Sequence, residues 1–227
     1  MKTFAEITER AARRKGGMNE LKKLLPDGIK TAKQLGTITD DRWLSGMTRA
    51  VFKAGFVWKI IDHKWPGFEE AFWNFDPARC AGLSPDEEDA LCRDQRIVRN
   101  RQKILTVPHN AVMIIEAGRE HGSFGRMVAD WPADDFVGLL DYLGRNGARL
   151  GGMTAQYFLR AMGKDGFALS RDGVAALIDA GVVSRQPTGK ADKKRVQDAC
   201  NLWSDESGYG LAEISRILAL SIDAPKT

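Results

Sequence analysis

The sequence has few cysteines and no long apolar run. Three cysteines stand among its 227 residues, at Cys80, Cys92 and Cys200, and no CxxC pair or nearby histidine gives them the spacing of metal ligands. Scattered cysteines in odd number predict reduced thiols in packed positions, and their count excludes a four-cysteine iron–sulfur cluster. No apolar run approaches the roughly 18 to 20 residues that a membrane span requires, so no membrane partner is expected.

Alternating strand patterns are also missing. Apolar residues recur every three to four positions over most of the chain, for example in residues 43–61 and 211–220. We expect the first of these helices to run unbroken and to end at Asp62–Pro66. A serine, a proline and two acids at Ser84–Glu87 are typical of a helix start. The sequence therefore predicts an all-α protein.

Charge and organisation favour a compact globular protein with two lobes. We expect an N-terminal helical segment (1–40) that packs on the C-terminal lobe, a helical bundle (41–131) and a C-terminal lobe (132–227). The net charge is +4, and basic residues are concentrated in 10–33 and 185–195, although such runs are solvated surfaces more often than contact surfaces. The charged N-terminus is unlike a secretory signal, so a cytoplasmic monomer is the simplest interpretation.

The segment 147–172 contains the strongest functional signal. A turn around Gly147, Gly151 and Gly152 precedes Thr154 in a helix that is expected to end near residue 162. Backbone amides at such a helix N-terminus point outward and favour an anion, so the turn predicts a phosphate contact. Arg149 offers a further contact, but it must adopt backbone geometry that glycine normally supplies. A turn that serves packing alone is the other interpretation.

An acid follows this hairpin at Asp172, 21 residues after Gly151 (172 minus 151). Leu150–Gly151, Thr154–Ala155, Tyr157–Phe158 and Asp172 together resemble the hairpin and aspartate of the type II 3-methyladenine DNA glycosylases. The resemblance implies a two-lobed helix-hairpin-helix glycosylase fold with Asp172 as the catalytic acid. The residue pattern alone also allows Asp172 to be an N-cap of a helix over 173–181.

Three blocks in the middle of the chain carry a second resemblance. They read KAGFVW at 53–58, FEEAFWNFDP at 68–77 and IVRNRQKI at 97–104. In this order they resemble the type I 3-methyladenine DNA glycosylases, over about residues 47–131. The resemblance implies that Trp58 stacks on a base flipped out of the duplex. The alternative is that Trp58 belongs to the core of an amphipathic helix.

The chain departs from the type I pattern at two places. Ala50 occupies the position of the family's pocket glutamate, eight residues before Trp58 (58 minus 50), and the Cys/His zinc clip near the chain ends is missing. No metal site is therefore expected. Met153 stands where bifunctional members of the superfamily carry a lysine nucleophile, which indicates hydrolysis without strand cleavage.

These resemblances predict a monofunctional DNA glycosylase that hydrolyses the N-glycosidic bond of a flipped-out damaged base in double-stranded DNA. An alkylated purine is the expected base, because a cation gains from the face of Trp58; 3-methyladenine or 7-methylguanine should then leave before uracil or hypoxanthine. No organic cofactor is expected, and the superfamily implies a monovalent cation at the hairpin. The alternative is a non-catalytic DNA-binding or lesion-sensing protein of the same fold.

Overall fold

The computed structural model describes residues 1–223, and all regular secondary structure in this range is helical. It comprises one 3₁₀ turn (Trp73–Phe75) and fifteen α-helices: α1 Phe4–Lys15, α2 Met18–Lys22, α3 Ala32–Gly36, α4 Asp40–Lys53, α5 Trp58–Ala71, α6 Pro77–Ala81, α7 Pro85–Arg93, α8 Arg101–Ile104, α9 Thr106–His121, α10 Phe124–Asp130, α11 Phe136–Asn146, α12 Met153–Met162, α13 Arg171–Asp179, α14 Lys190–Ser207 and α15 Leu211–Ser221. The all-α prediction is confirmed. Within this range no helix is both long enough and apolar enough to cross a bilayer.

The chain divides into two compact units whose bounds differ from the predicted ones. The central unit contains Lys30–Trp131 and Leu139–Lys164, and the terminal unit contains Met1–Ile29, Pro132–Gly138 and the chain from Asp165 on. The hairpin, expected in the C-terminal lobe, belongs to the central unit because α12 packs on α4. Residues 30–36, expected in the N-terminal segment, also belong there because α3 packs on α10.

Aromatic side chains form the core of the central unit. Trp43, fully buried, contacts Phe124 and Phe158 with ring centroids 5.4 and 5.8 Å apart. A second cluster contains Phe52 and Phe68, whose centroids lie 4.7 Å apart. Burial of each such ring stabilises the fold by about 1.5–3 kcal/mol, so these contacts hold α4 against the helices around it.

The helix expected across residues 43–61 is interrupted. α4 ends at Lys53, and Gly55 has a φ of 73°, a left-handed conformation that glycine adopts without a steric penalty. α5 then begins at Trp58 and continues through Pro66, which was expected to terminate it. The prediction failed because apolar residues continue with helical spacing across the break. In the structure Val57 and Ile60 are exposed instead of buried.

The terminal unit joins the two ends of the described chain. α1 packs against α15, and the buried Phe4 contacts Trp203 and Tyr209 at 5.9 and 6.1 Å between ring centroids. A capping box formed by Thr3 and Glu6 starts α1. Helix α1 is thus held by packing on C-terminal helices.

Candidate base-binding pocket and DNA-binding hairpin

A cavity of about 780 Å³ opens within the central unit. One wall is a face of α4 and the loop after it, Trp58 begins the next helix, and α12 forms the opposite wall. The lining residues are Arg42, Ser45, Gly46, Arg49, Ala50, Lys53, Ala54, Gly55, Trp58, Met153, Thr154, Tyr157, Arg160, Ala161 and Met162. This volume is in the range of small-molecule pockets, so it is large enough for one nucleobase.

Gly46 allows the two walls to approach. A Cβ atom at this position would lie 2.5 Å from Sδ of Met162 and 3.4 Å from the ring of Phe158. A larger residue would therefore displace the side chain of Met162, which also lines the cavity.

Trp58 lines the cavity with its ring partly accessible. It is the first residue of α5 and its side chain is 52% exposed, so the alternative that it is a core residue of an amphipathic helix is wrong. The ring of Tyr157 meets it edge-on, with centroids 5.9 Å apart, and Nζ of Lys53 lies 5.2 Å from its centroid. An exposed indole fixed by two neighbours is suited to stack on a planar ring.

Sequence reasoning missed the cationic lining of this cavity. Arg42, Arg49 and Lys53 lie at positions i, i+7 and i+11 of α4 and therefore on one helix face, which is the signal that could have revealed them. Arg160 lines the cavity from α12. Among the described residues of the lining, no aspartate or glutamate is present.

Carboxylates outside the lining pair with these cations, and Asp41 Oδ2 lies 2.8 Å from Arg42 Nε. Glu69 Oε1 accepts hydrogen bonds from Ser45 Oγ at 2.7 Å and Trp65 Nε1 at 2.9 Å, and Arg42 donates to both of its oxygens. Burial raises the pKa of Glu69, but the hydrogen bonds from Arg42 and Ser45 outweigh it and hold the pKa below its usual value. Glu69 thus serves the packing of α4 on α5.

Asp62 is shared between two cations. Its Oδ1 accepts from Arg49 Nη2 at 2.6 Å and lies 2.8 Å from Lys53 Nζ. The hydrogen bond from Lys53, with that from Arg49, lowers the pKa of Asp62 despite the opposing effect of desolvation. The carboxylate stays ionised and orients both cations along the cavity wall.

A buried lysine fixes the loop that precedes Trp58. Lys103, 5% exposed, donates from Nζ to the carbonyl oxygens of Phe52 (3.1 Å) and Ala54 (2.5 Å) and lies over the ring of Phe56. Desolvation, with the nearby charge of Arg149, lowers the pKa of Lys103. The contact links the IVRNRQKI block to the KAGFVW block and gives a physical reason for their joint occurrence.

The hairpin at 147–152 has the geometry that its sequence predicted. Arg149 has a φ of 58°, in the left-handed region, and donates to Gln102 Oε1 at 2.6 Å. Leu150 is fully buried. A Cβ at Gly147 would lie 2.6 Å from Leu150 Cδ1 and 2.8 Å from the carbonyl oxygen of Leu143, so only glycine fits there.

The side chain of Asn110 holds this hairpin in place, a role that the sequence did not reveal. Its fully buried side chain accepts from Ala148 N at 2.7 Å and donates to Ala148 O at 3.3 Å. The only signal in the sequence was a polar residue, Asn110, in the apolar stretch of α9. That signal does not identify Ala148 as its hydrogen-bond partner.

At the end of the hairpin, before α12, the backbone is open. A Cβ at Gly151 or Gly152 would meet nothing within 4 Å, and Gly152 has φ 57° and ψ −133°, a combination essentially restricted to glycine. No side chain caps the start of α12, where Thr154 also lines the cavity. The outward amides of this ten-residue helix are therefore available to an anion.

Asp172 lies in the terminal unit, exposed in the first turn of α13. The N-cap interpretation is wrong, because Ser170 caps this helix by accepting from Gly173 N at 3.2 Å, and the helix begins at Arg171. The structure thus brings Trp58 and the hairpin residues together in the central unit and assigns Asp172 to the other unit.

Comparison with known proteins relates part of the chain to a known family. Residues 36–137 match the sequence model of the methyladenine glycosylase family. This part of the chain resembles the methyladenine glycosylases. The match includes all three type I blocks, so the resemblance noted in the sequence is confirmed, while the hairpin and Asp172 lie beyond it.

Two solved structures of an archaeal DNA glycosylase show the same fold. The chain is 15% identical to the 8-oxoguanine DNA glycosylase of Methanocaldococcus jannaschii, with a TM-score of 0.54 over 93% of this chain and 91% of that one. A structure of the same archaeal glycosylase/lyase with a 15mer DNA containing 8-oxoguanine gives 14% identity and a TM-score of 0.53, covering 95% and 96%. The 3-methyladenine DNA glycosylase I of Staphylococcus aureus is 23% identical over 55% of this chain and 77% of its own, with a TM-score of 0.49. The fold is that of the helical DNA glycosylases.

Proposed function

We propose that this protein is a monofunctional DNA glycosylase of base excision repair. It hydrolyses the N-glycosidic bond of a flipped-out damaged base in double-stranded DNA, with an alkylated purine as the class that the type I resemblance implies. Trp58 binds the base, and Gly147, Arg149, Gly151, Gly152 and Thr154 bind the DNA backbone.

One observation carries the proposal. The cavity that exposes Trp58 is also lined by Thr154, in the first turn of the helix that the glycine hairpin starts. A phosphate held by that helix N-terminus therefore keeps its nucleotide beside a base-sized cavity. A base that leaves the duplex loses its stacking, and the indole face returns part of it.

The chemistry follows from the groups present. Breaking the glycosidic bond develops positive charge on the sugar, and the carboxylate of Asp172 stabilises this charge and orients or deprotonates the attacking water. Met153 stands where bifunctional members of the superfamily carry a lysine and has no amine for a Schiff base. Lys53, the lysine of the lining, is paired with Asp62, so water is the nucleophile in this proposal. No organic cofactor takes part. The hairpin residues Gly151 and Gly152 would hold the monovalent cation that the superfamily resemblance implies, and this ion would help to neutralise a DNA phosphate.

Substitution of Asp172 tests this proposal. We expect Asp172→Asn to lower the single-turnover rate of base release by about 100-fold or more, while DNA affinity stays within a few-fold, because affinity comes from phosphate contacts. Asp179→Asn is the matched control on the same helix; Asp179 pairs with Lys2 and Arg10, so its loss should leave the rate nearly unchanged.

Two outcomes would contradict the proposal in different ways. An unchanged rate in Asp172→Asn would remove this residue from the mechanism. Salt-dependent binding to lesion-containing DNA without release of any base would favour the non-catalytic lesion sensor.

A further inference from the structure

The cavity beside Trp58 is larger than the nucleotide that the proposed function places in it. Its volume is about 780 Å³. On a generous scale of about 30 Å³ for each non-hydrogen atom, the share of one water molecule in the liquid, a purine deoxynucleoside with roughly 19 such atoms fills about 570 Å³. About 200 Å³ of the cavity therefore remains, which is space for roughly seven further non-hydrogen atoms.

Short side chains contribute to this unfilled space. Ala50 lines the cavity from α4, and Ala54, the C-cap residue of the same helix, follows one helical turn later. Ala161 lines the opposite wall from α12. None of these side chains extends beyond Cβ, so the walls are recessed at these positions.

Ion pairs keep the long side chains of α4 from filling the recess. Arg42 donates to both oxygens of Glu69, at 3.0 and 2.9 Å. Arg49 Nη2 and Lys53 Nζ lie 2.6 and 2.8 Å from Oδ1 of Asp62. Each of these cations is thus restrained by a carboxylate that lies outside the lining, and the cavity does not close by rotation of free side chains.

Much of the lining is also apolar and adaptable. Met153 and Met162 line the cavity from α12, and the aromatic rings of Trp58 and Tyr157 meet edge-on beside them. Methionine is unbranched and polarisable, so it adapts to groups of irregular shape. A group that enters the unfilled space therefore meets apolar surfaces, which favours an apolar substituent.

We infer that the pocket accepts a purine that carries an apolar substituent larger than a methyl group, and that Ala50 sets the limit on its size. The inference rests on the proposed glycosylase function and names the substrate class of that same site. The purine stacks on Trp58 while its alkyl or arylalkyl substituent fills the recess over Ala50 and Ala54. A longer side chain at either alanine would occupy the space that the substituent needs.

A pair of lesions tests the inference on the wild-type protein. Identical duplexes carry one N7-methylguanine or one N7-benzylguanine, which share the positive charge and differ by a single phenyl ring. Each single-turnover rate of base release is divided by the rate of spontaneous loss from the same duplex. We expect the enhancement for the benzyl lesion to equal or exceed that for the methyl lesion. A smaller enhancement for the benzyl lesion overturns the inference and leaves the glycosylase function standing.

Ala50→Leu narrows the cavity directly. We expect it to lower the ratio of benzyl to methyl release rates by about tenfold or more, as steric exclusion from an apolar pocket does. Both proteins act on the same duplexes, so the change in this ratio is independent of how each lesion affects the duplex. Ala78→Leu is the matched control, because Ala78 is exposed on α6 and lies outside the lining. Equal losses for both lesions in Ala50→Leu, or the same shift in the control, overturn the inference.

Ala54→Leu gives a second answer if Ala50→Leu does not fold. Ala54 is exposed at the end of α4, so a longer side chain is tolerated there and should lower the benzyl-to-methyl ratio in the same direction. If the wild type releases neither base, the proposed function fails, and fluorescence anisotropy with the same duplexes still decides the inference. A lower benzyl-to-methyl affinity ratio in a folded variant than in the wild type supports it, and an unchanged ratio overturns it.

Discussion

Glu69 illustrates how a single carboxylate joins α4 to α5. Its pKa is below the usual value in the folded protein, because hydrogen bonds from Arg42 and Ser45 outweigh the effect of burial. The resulting stabilisation is complete above the pKa of the unfolded chain, about 4.3, and is lost as the pH falls through the lower folded pKa.

We expect Glu69→Gln to lower the free energy of unfolding at pH 7 by about 1–3 kcal/mol, because charged hydrogen bonds to Arg42 are lost. The difference in stability between pH 7 and pH 3 should be smaller than in the wild type. Urea denaturation at both pH values measures this. Glu70→Gln is the control, because the side chain of Glu70 is 68% exposed and has only a 3.4 Å contact with Arg96. Equal effects of the two substitutions would contradict the role of the Glu69 network.

Individual residues differ in how far the sequence predicted them. Arg149 was expected to adopt glycine-like geometry, since the hairpin pattern requires it, and its φ of 58° agrees. Lys103 and the cations of α4 were not predicted, because a charged residue is taken as solvent-exposed unless its partner is known. The carbonyls that hold Lys103 are about fifty residues away in the chain, and no local pattern reveals such a pairing.

At the scale of elements, helix existence was easier to predict than helix ends. α12 and α15 lie almost where their apolar spacing placed them. The break before Trp58 depends on the backbone of Gly55 and on the anchor provided by Lys103. Neither alters the spacing of apolar residues, so a single helix was predicted where the structure has a loop and two helices.

The two glycines that follow Leu150 should respond differently to substitution. Both have open space at the Cβ position, but only Gly152 has a positive φ. We expect Gly152→Ala to lower the free energy of unfolding by about 1–3 kcal/mol and to weaken DNA binding, because the start of α12 must rearrange. Gly151→Ala should change stability by less than about 1 kcal/mol. Thermal denaturation and anisotropy measure both; equal stability losses would contradict the backbone argument.

At the scale of the whole molecule, each unit has its own aromatic core. Phe4 lies in the core of the terminal unit and Phe52 in that of the central unit, and both are almost completely buried. The cavity and the hairpin are built entirely from central-unit residues.

Removal of one core aromatic side chain should therefore destabilise its own unit more than the other unit. We expect Phe4→Ala to cost about 3–5 kcal/mol and to raise amide hydrogen exchange in α1, α13, α14 and α15 before α4 and α12. Phe52→Ala, the matched substitution, should give the opposite order. Uniform loss of protection in both variants would show that the units unfold as one.

The pairing of α1 with α15 has a consequence for biosynthesis. At about 5–20 residues per second, a ribosome needs roughly ten to forty seconds to add the residues that separate α1 from α15. During that interval the apolar face of α1, including Phe4 and Ile7, has no partner from α15. A nascent chain that stalls between these two helices therefore exposes this apolar surface of α1 to chaperones.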